Sequence, residues 1–179
     1  MSEMPEFSRI INVTRLAPGG TVEQVEAKSA ERAELAKRFD LEEISSLSAQ
    51  LALQPGGQQT LKVAGKIIAD IVQKCVVTLD PLPSHIEIDV DMTFVPADTE
   101  SGEENLLDQD TLEGETEFYS SGKIDLGEMV SQHLGVNIDL YPRKSGVVLP
   151  VTEFGSKAEK PHPFAQLVKK TKNDDKTRD

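Results

Sequence analysis

The chain has no tryptophan, two tyrosines and six phenylalanines in 179 residues, so its core must be built mainly from aliphatic side chains. A single cysteine, Cys75, excludes an intramolecular disulfide and a cysteine-rich zinc site, and fits a reducing compartment. No run of about 18 apolar residues is present to span a bilayer. The opening MSEMPEFSRI has neither a basic n-region nor an apolar h-region, so a cytoplasmic protein is expected. Cations are scarce too. No Lys or Arg lies between Lys74 and Lys123, and 19 basic residues face 31 acidic ones for a net charge of −12. A coat that binds polyphosphate by counterion release needs surplus cations, so that class is excluded and any anion-binding surface must be local. The length suggests a single domain over 1–170, interrupted by a flexible acidic loop at 96–114 and followed by a polar, disordered tail at 171–179.

What is present reads as an α+β fold, mainly an antiparallel sheet with two or three short helices. Phe7 to Leu16 is apolar and β-branched enough for a strand, closed by the Pro18-Gly19-Gly20 turn. A helix is expected next, capped by Ser29 and running to Phe39, with Ala33, Ala36 and Phe39 as its apolar stripe and Glu34 paired to Lys37 and Arg38. Leu47, Ala49, Leu51 and Leu53 alternate with polar residues, the two-residue repeat of a strand with one wet face. Leu61 to Leu79 reads as apolar on both faces and is expected to be a central strand, dry on both sides and ended by Pro81 and Pro83. Ile86, Ile88, Val90, Met92 and Phe94 alternate with His85, Glu87, Asp89, Asp91 and Thr93 in a further strand. Structure resumes at Phe118. Asp125-Leu126-Gly127-Glu128 has capping-box spacing and opens a helix with Leu126, Met129, Val130 and Leu134 on one face and Gly135 as its stop. Pro163 opens a last short helical segment carrying Phe164, Leu167 and Val168.

Catalytic templates fail for physical reasons. A phosphate-binding P-loop needs a glycine five residues before Gly-Lys and a hydroxyl after it, but Gly65-Lys66 has Thr60 and Ile67 there. Asp108 to Glu113 approaches a calcium loop yet puts Leu112 where a ligand oxygen is required. His85, His133 and His162 are widely separated, and neither metal nor cofactor is expected. The apolar setting of Cys75 predicts a raised pKa and an inert, buried thiol.

The charge that remains is segregated. Asp98, Glu100, Glu103, Glu104, Asp108 and Asp110 crowd one segment and are candidates for a basic protein partner. Arg143, Lys144, Lys157, Lys160, Lys169, Lys170 and Lys172 all lie beyond residue 140 and are candidates for an anionic partner.

Three separated pieces carry a resemblance. They are Gln73-Lys74-Cys75 with the alternating strand that follows, Ile124-Asp125-Leu126-Gly127-Glu128-Met129-Val130, and Lys160-Pro161-His162-Pro163-Phe164-Ala165-Gln166-Leu167. In order and spacing the chain resembles the YceD family, the large ribosomal RNA subunit accumulation proteins. The resemblance implies a non-enzymatic factor that supports accumulation of 23S ribosomal RNA, through precursor binding, processing or early assembly. It transfers no catalytic residue. Cys75, Asp125, Leu126, Pro163 and Phe164 fall on its motifs, where packing is the expected role of Leu126 and Phe164. Many relatives carry a second cysteine where Thr78 stands here, and some carry more near Pro142 to Gly146, so the resemblance makes no case for zinc in this chain. The partners it implies are precursor ribosomal RNA and ribosomal or processing proteins, with no membrane and no small-molecule substrate. A pure adaptor that binds a basic protein without touching RNA is the competing expectation.

Overall fold

The computed structural model describes residues 5–97 and 115–147. Backbone contacts divide the chain into Met1–Val147 and Val148–Asp179, and everything below concerns the first unit. Its strands are β1 (Ile10–Asn12), β2 (Thr21–Glu26), β3 (Glu43–Pro55), β4 (Leu61–Lys74), β5 (Pro81–Pro96), β6 (Glu115–Tyr119) and β7 (Lys123–Asp125). Its helices are α1 (Ser29–Arg38) and α2 (Leu126–Asn137). Strands β2-β3-β4-β5-β6 form one sheet in that order, antiparallel except for the parallel β5–β6 pair, while β1 and β7 form a separate antiparallel ribbon. The expected α+β class with a mainly antiparallel sheet is what folds. None of the described helices is long and apolar enough to cross a membrane.

The period-two pattern puts Leu47, Ala49, Leu51 and Leu53 of β3 on the same buried face as Leu61, Val63, Ile67 and Ile71 of β4 and Ile88, Val90, Met92 and Phe94 of β5. A register shift between Ile44 and Ser46 lets Ile44 and Leu47 both turn inward. Leu35 and Ala36 of α1 and Leu126, Met129, Val130 and Leu134 of α2 complete this core.

Several expectations are corrected. β4 is central, but its other face is wet: Lys66, Ile68 and Asp70 are exposed there, and Ile68 and Val72 had mimicked a two-sided apolar run. It stops at Lys74, because Cys75 to Asp80 turns the chain into β5, which begins at Pro81 itself. Phe7 to Leu16 yields only the three-residue β1. The Asn12 carboxamide accepts the Thr14 amide at 3.0 Å and starts a short 3-10 turn over Val13–Arg15. Strand β2 was not expected at all, for only Val25 in it is buried. In α1 the cap is Lys28, whose amide is bound by Glu31 Oε2 at 2.7 Å, and the buried pair is Leu35 and Ala36 while Ala33 is exposed. Glu34 pairs with Lys37 at 2.6 Å, but Arg38 turns away to Glu128 and Glu6.

The α2 start is held by one carboxylate. Asp125 Oδ1 accepts the amides of Gly127 (3.0 Å), Glu128 (3.3 Å) and Arg9 (2.7 Å), and Oδ2 accepts the Ser8 hydroxyl at 2.5 Å. The expected capping box is half formed, since Glu128 does not reach back but binds the Arg38 guanidinium through both oxygens. Gly127 lets α2 meet β1 closely, because a Cβ there would lie 2.5 Å from the Phe7 carbonyl oxygen. Gly135 does not stop the helix. It lies inside α2 against the Phe39 ring, and the helix runs on to Asn137.

Candidate nucleic-acid interface

At the end of β4 the chain turns through Cys75 to Asp80, and beyond α2 it returns alongside that turn. Buried Gln73 donates its amide to the Asp139 carbonyl at 2.7 Å, the Val76 amide donates to the Pro142 carbonyl at 2.9 Å, and the Lys144 amide donates to Cys75 Sγ at 3.5 Å. Residues 139–144 are thereby fastened to the β4–β5 turn at three successive points.

The thiol at this junction is buried, yet it lies outside the main core cluster. Its environment is polar. The Thr78 hydroxyl, then the amides of Lys144, Thr78 and Val77, stabilise the thiolate and pull the Cys75 pKa down to about 6. This corrects the expectation of a raised pKa: the residue sits past the apolar strand, in a turn whose N–H groups converge on sulfur. Neither a histidine nor a carboxylate is hydrogen-bonded to it among the described residues. Thr78 and the Pro142 to Gly146 stretch, where the resemblance puts further cysteines in relatives, are brought to this one place.

Of the seven candidate RNA contacts, Arg143 and Lys144 lie here and are exposed. Lys144 Nζ stands 3.4 Å from Asp80 Oδ2, whereas Arg143 has no hydrogen bond or ion pair among the described residues. Lys157, Lys160, Lys169, Lys170 and Lys172 lie outside the described residues, as do Pro163 and Phe164 and the acidic candidates Asp98, Glu100, Glu103, Glu104, Asp108 and Asp110. Asp125 and Leu126 are at the opposite end of α2 from this corner and serve the helix start and the core.

Three exposed apolar side chains lie in these two segments: Leu79 (71 %), expected in the dry strand, and Leu140 (78 %) and Tyr141 (70 %), to which sequence reading assigns no role. The available signal was the Tyr-Pro-Arg-Lys run, an aromatic ring two residues from a cation.

The match of known families decides what this corner belongs to. The family model for the large ribosomal RNA subunit accumulation protein YceD matches residues 63–170, more than half of the chain. The chain belongs to the YceD family. Searches of curated proteins and of solved structures find no match to it. The matched range takes in β4, β5, α2 and the corner, and leaves out β1, β2, α1 and β3.

A second surface of this YceD-family chain is the uncovered sheet face. Lys66 Nζ lies 3.0 Å from Glu87 and 3.6 Å from Asp89, Lys62 lies 3.4 Å from Asp91, and His85 Nδ1 is 2.6 Å from Asp70. Two lysines therefore answer four carboxylates, and the face is acidic. Among the described residues no grouping of His, Cys, Asp and Glu has the arrangement of a metal site. One shallow hollow, lined by Gly19–Val22 and Ala52–Gln54, holds no titratable side chain.

Proposed function

We propose that this chain supports the accumulation of large-subunit ribosomal RNA in the cytoplasm without chemistry of its own, by holding precursor RNA at its cationic end during processing or early assembly. The observation that carries the reading is Arg143, an exposed guanidinium with no carboxylate partner among the described residues, within the family-matched range. It stands where the cation-rich part of the sequence begins, followed by Lys144, Lys157, Lys160, Lys169, Lys170 and Lys172. A net charge of −12 does not forbid this, because repulsion is screened beyond a Debye length of roughly 8 Å at physiological salt, while each local phosphate contact releases counterions. Truncation after Phe164 is expected to weaken binding of precursor ribosomal RNA and flatten its salt dependence. Unchanged affinity and slope would overturn the reading.

A second reading is favoured by the acidic sheet face: an adaptor that holds a basic ribosomal or processing protein. Asp98, Glu100, Glu103, Glu104, Asp108 and Asp110 are further candidates for the same partner. Neutralising Asp98 to Glu113 separates the two readings, since an adaptor loses its protein partner while an RNA binder keeps or gains affinity. Crosslinking in cells, with both the RNA and the protein identified, reports which is held.

A further inference from the structure

The corner formed by the β4–β5 turn and residues 139–144 displays an aromatic ring in a way that packing does not explain. Tyr141 is 70 % exposed, although its own amide is held by Asp139 Oδ1 at 2.9 Å and the next residue, Pro142, is buried with its carbonyl bound by Val76. The backbone is therefore fixed on both sides of a side chain that buries little. The chain's other tyrosine, Tyr119, does the opposite, being buried with its hydroxyl on the Gln59 carbonyl at 2.6 Å. Leu79 is likewise held out, 71 % exposed at φ 61°, a left-handed conformation that a leucine adopts only at a cost. Val76, 45 % exposed, belongs to the same turn as Leu79 and is joined by its amide to the residue after Tyr141.

The charge around the ring selects among occupants. Arg143 has no carboxylate partner among the described residues, and Lys144 meets Asp80 across an exposed 3.4 Å pair, which is weak and exchangeable. An exposed ring on a fixed stretch of backbone, with a guanidinium two residues along the chain, is a combination that stacks an unpaired base and contacts the phosphate beside it. Bases inside a duplex are already stacked and offer no face to such a ring.

We infer that this corner is a binding site for single-stranded RNA, with Tyr141 as the base platform, Leu79 and Val76 as its apolar border, and Arg143 and Lys144 on the adjoining phosphates. The inference rests on the RNA reading above and gives it a place and a strand state.

The test measures binding of the full chain to a short unstructured uridine oligomer and to an RNA duplex of matching length. Tyr141→Ala is expected to weaken oligomer binding about tenfold, in line with the loss of one base stack, while Tyr141→Phe keeps it. Arg143→Ala is expected to reduce the salt slope by roughly 0.7, the value of one single-strand phosphate contact. Asp80→Asn, which releases Lys144, is expected to tighten binding. Equal loss on oligomer and duplex, or none in Tyr141→Ala, overturns the platform while leaving RNA binding by the cationic end intact. Absence of any RNA binding by the full chain at low salt overturns both. A photocrosslinker at position 141 that captures protein and no RNA in cells also overturns the platform, and makes the corner a protein-docking surface.

Discussion

The backbone amide of Lys144 donates to the sulfur of Cys75 at 3.5 Å, joining the segment after α2 to the turn after β4. With the Thr78 hydroxyl as the leading donor, this holds the thiol near a pKa of about 6. A depressed folded-state pKa stabilises the fold most fully above the thiol's ordinary 9.0, and that contribution is lost as pH falls through about 6. The thiolate ultraviolet absorbance of the folded protein should therefore titrate with a midpoint near 6, and Thr78→Val should move the midpoint upward. A midpoint at the ordinary thiol value in the wild type would show that these donors do not reach the sulfur. Cys75→Ser is expected to lower stability modestly and leave RNA binding unchanged.

Opposite in sign is the behaviour of His85. Asp70 first, then Glu87, raise its pKa on the open sheet face. A raised folded-state value gives a contribution fully present below the imidazole's ordinary range and lost as pH climbs through the folded value. His85→Gln should remove this part of the pH dependence of thermal stability. Because the pair is exposed, added salt should shrink the effect in the wild type. An identical pH profile in the variant at low salt would show that the pairing of His85 with Asp70 and Glu87 contributes nothing.

Asp125 satisfies two α2 amides, the Arg9 amide and the Ser8 hydroxyl at once. An N-cap alone contributes about 1 kcal/mol and a hydrogen bond to a charged group about 1.5–3 kcal/mol, the contributions being less than additive. Asp125→Ala is expected to cost about 2–4 kcal/mol in urea denaturation, with Asp125→Asn milder. A loss below about 1 kcal/mol would mean that β1 is not held through this carboxylate.

Gly127 and Gly135 lie in the same helix and should respond differently to alanine. At Gly127 the added Cβ meets backbone, 2.5 Å from the Phe7 carbonyl and 2.9 Å from the Arg9 nitrogen, and overpacking of this kind costs about 1–3 kcal/mol. At Gly135 the nearest atom is the edge of the Phe39 ring at 2.8 Å, which can swing aside, and alanine regains about 1 kcal/mol of helix propensity. Gly127→Ala should destabilise and Gly135→Ala should be near neutral. Equal effects in calorimetric unfolding would mean that β1 yields as easily as the ring.

Much of this architecture was legible because its signals are periodic. The alternation in Leu47–Leu53 and Ile86–Phe94, the helix formers around Leu35 and the Asp125 cap each depend on neighbours within a few residues. What escaped depends on distant chain. Strand β2 buries only Val25 and exists because Thr21 to Glu26 pair with β3. The wet face of β4 could not be told from the dry one, since Ala64, Ile68 and Val72 are apolar residues on a side that neither α1 nor α2 covers. Cys75 looked inert because it continues an apolar run, whereas it starts the turn that aims the Thr78 and Val77 donors at sulfur, and one further donor, Lys144, comes from 69 residues away. At the corner, Arg143 and Lys144 were read from charge, but Tyr141 and Leu79 became visible only once the two segments lay side by side.

Because β1 pairs with β7, the fold closes late in synthesis. Ile10 finds its partner in Asp125, and Ser8 and Arg9 bind a carboxylate 117 and 116 residues downstream. A nascent chain that has completed β3, β4 and β5 still lacks α2, so the core that Leu126, Met129, Val130 and Leu134 complete stays unfinished until the codons for Leu126 to Leu134 have been read. Closure of such a long-range circuit is slow, and during translation this half-built sheet is the stage most in need of a chaperone's shelter.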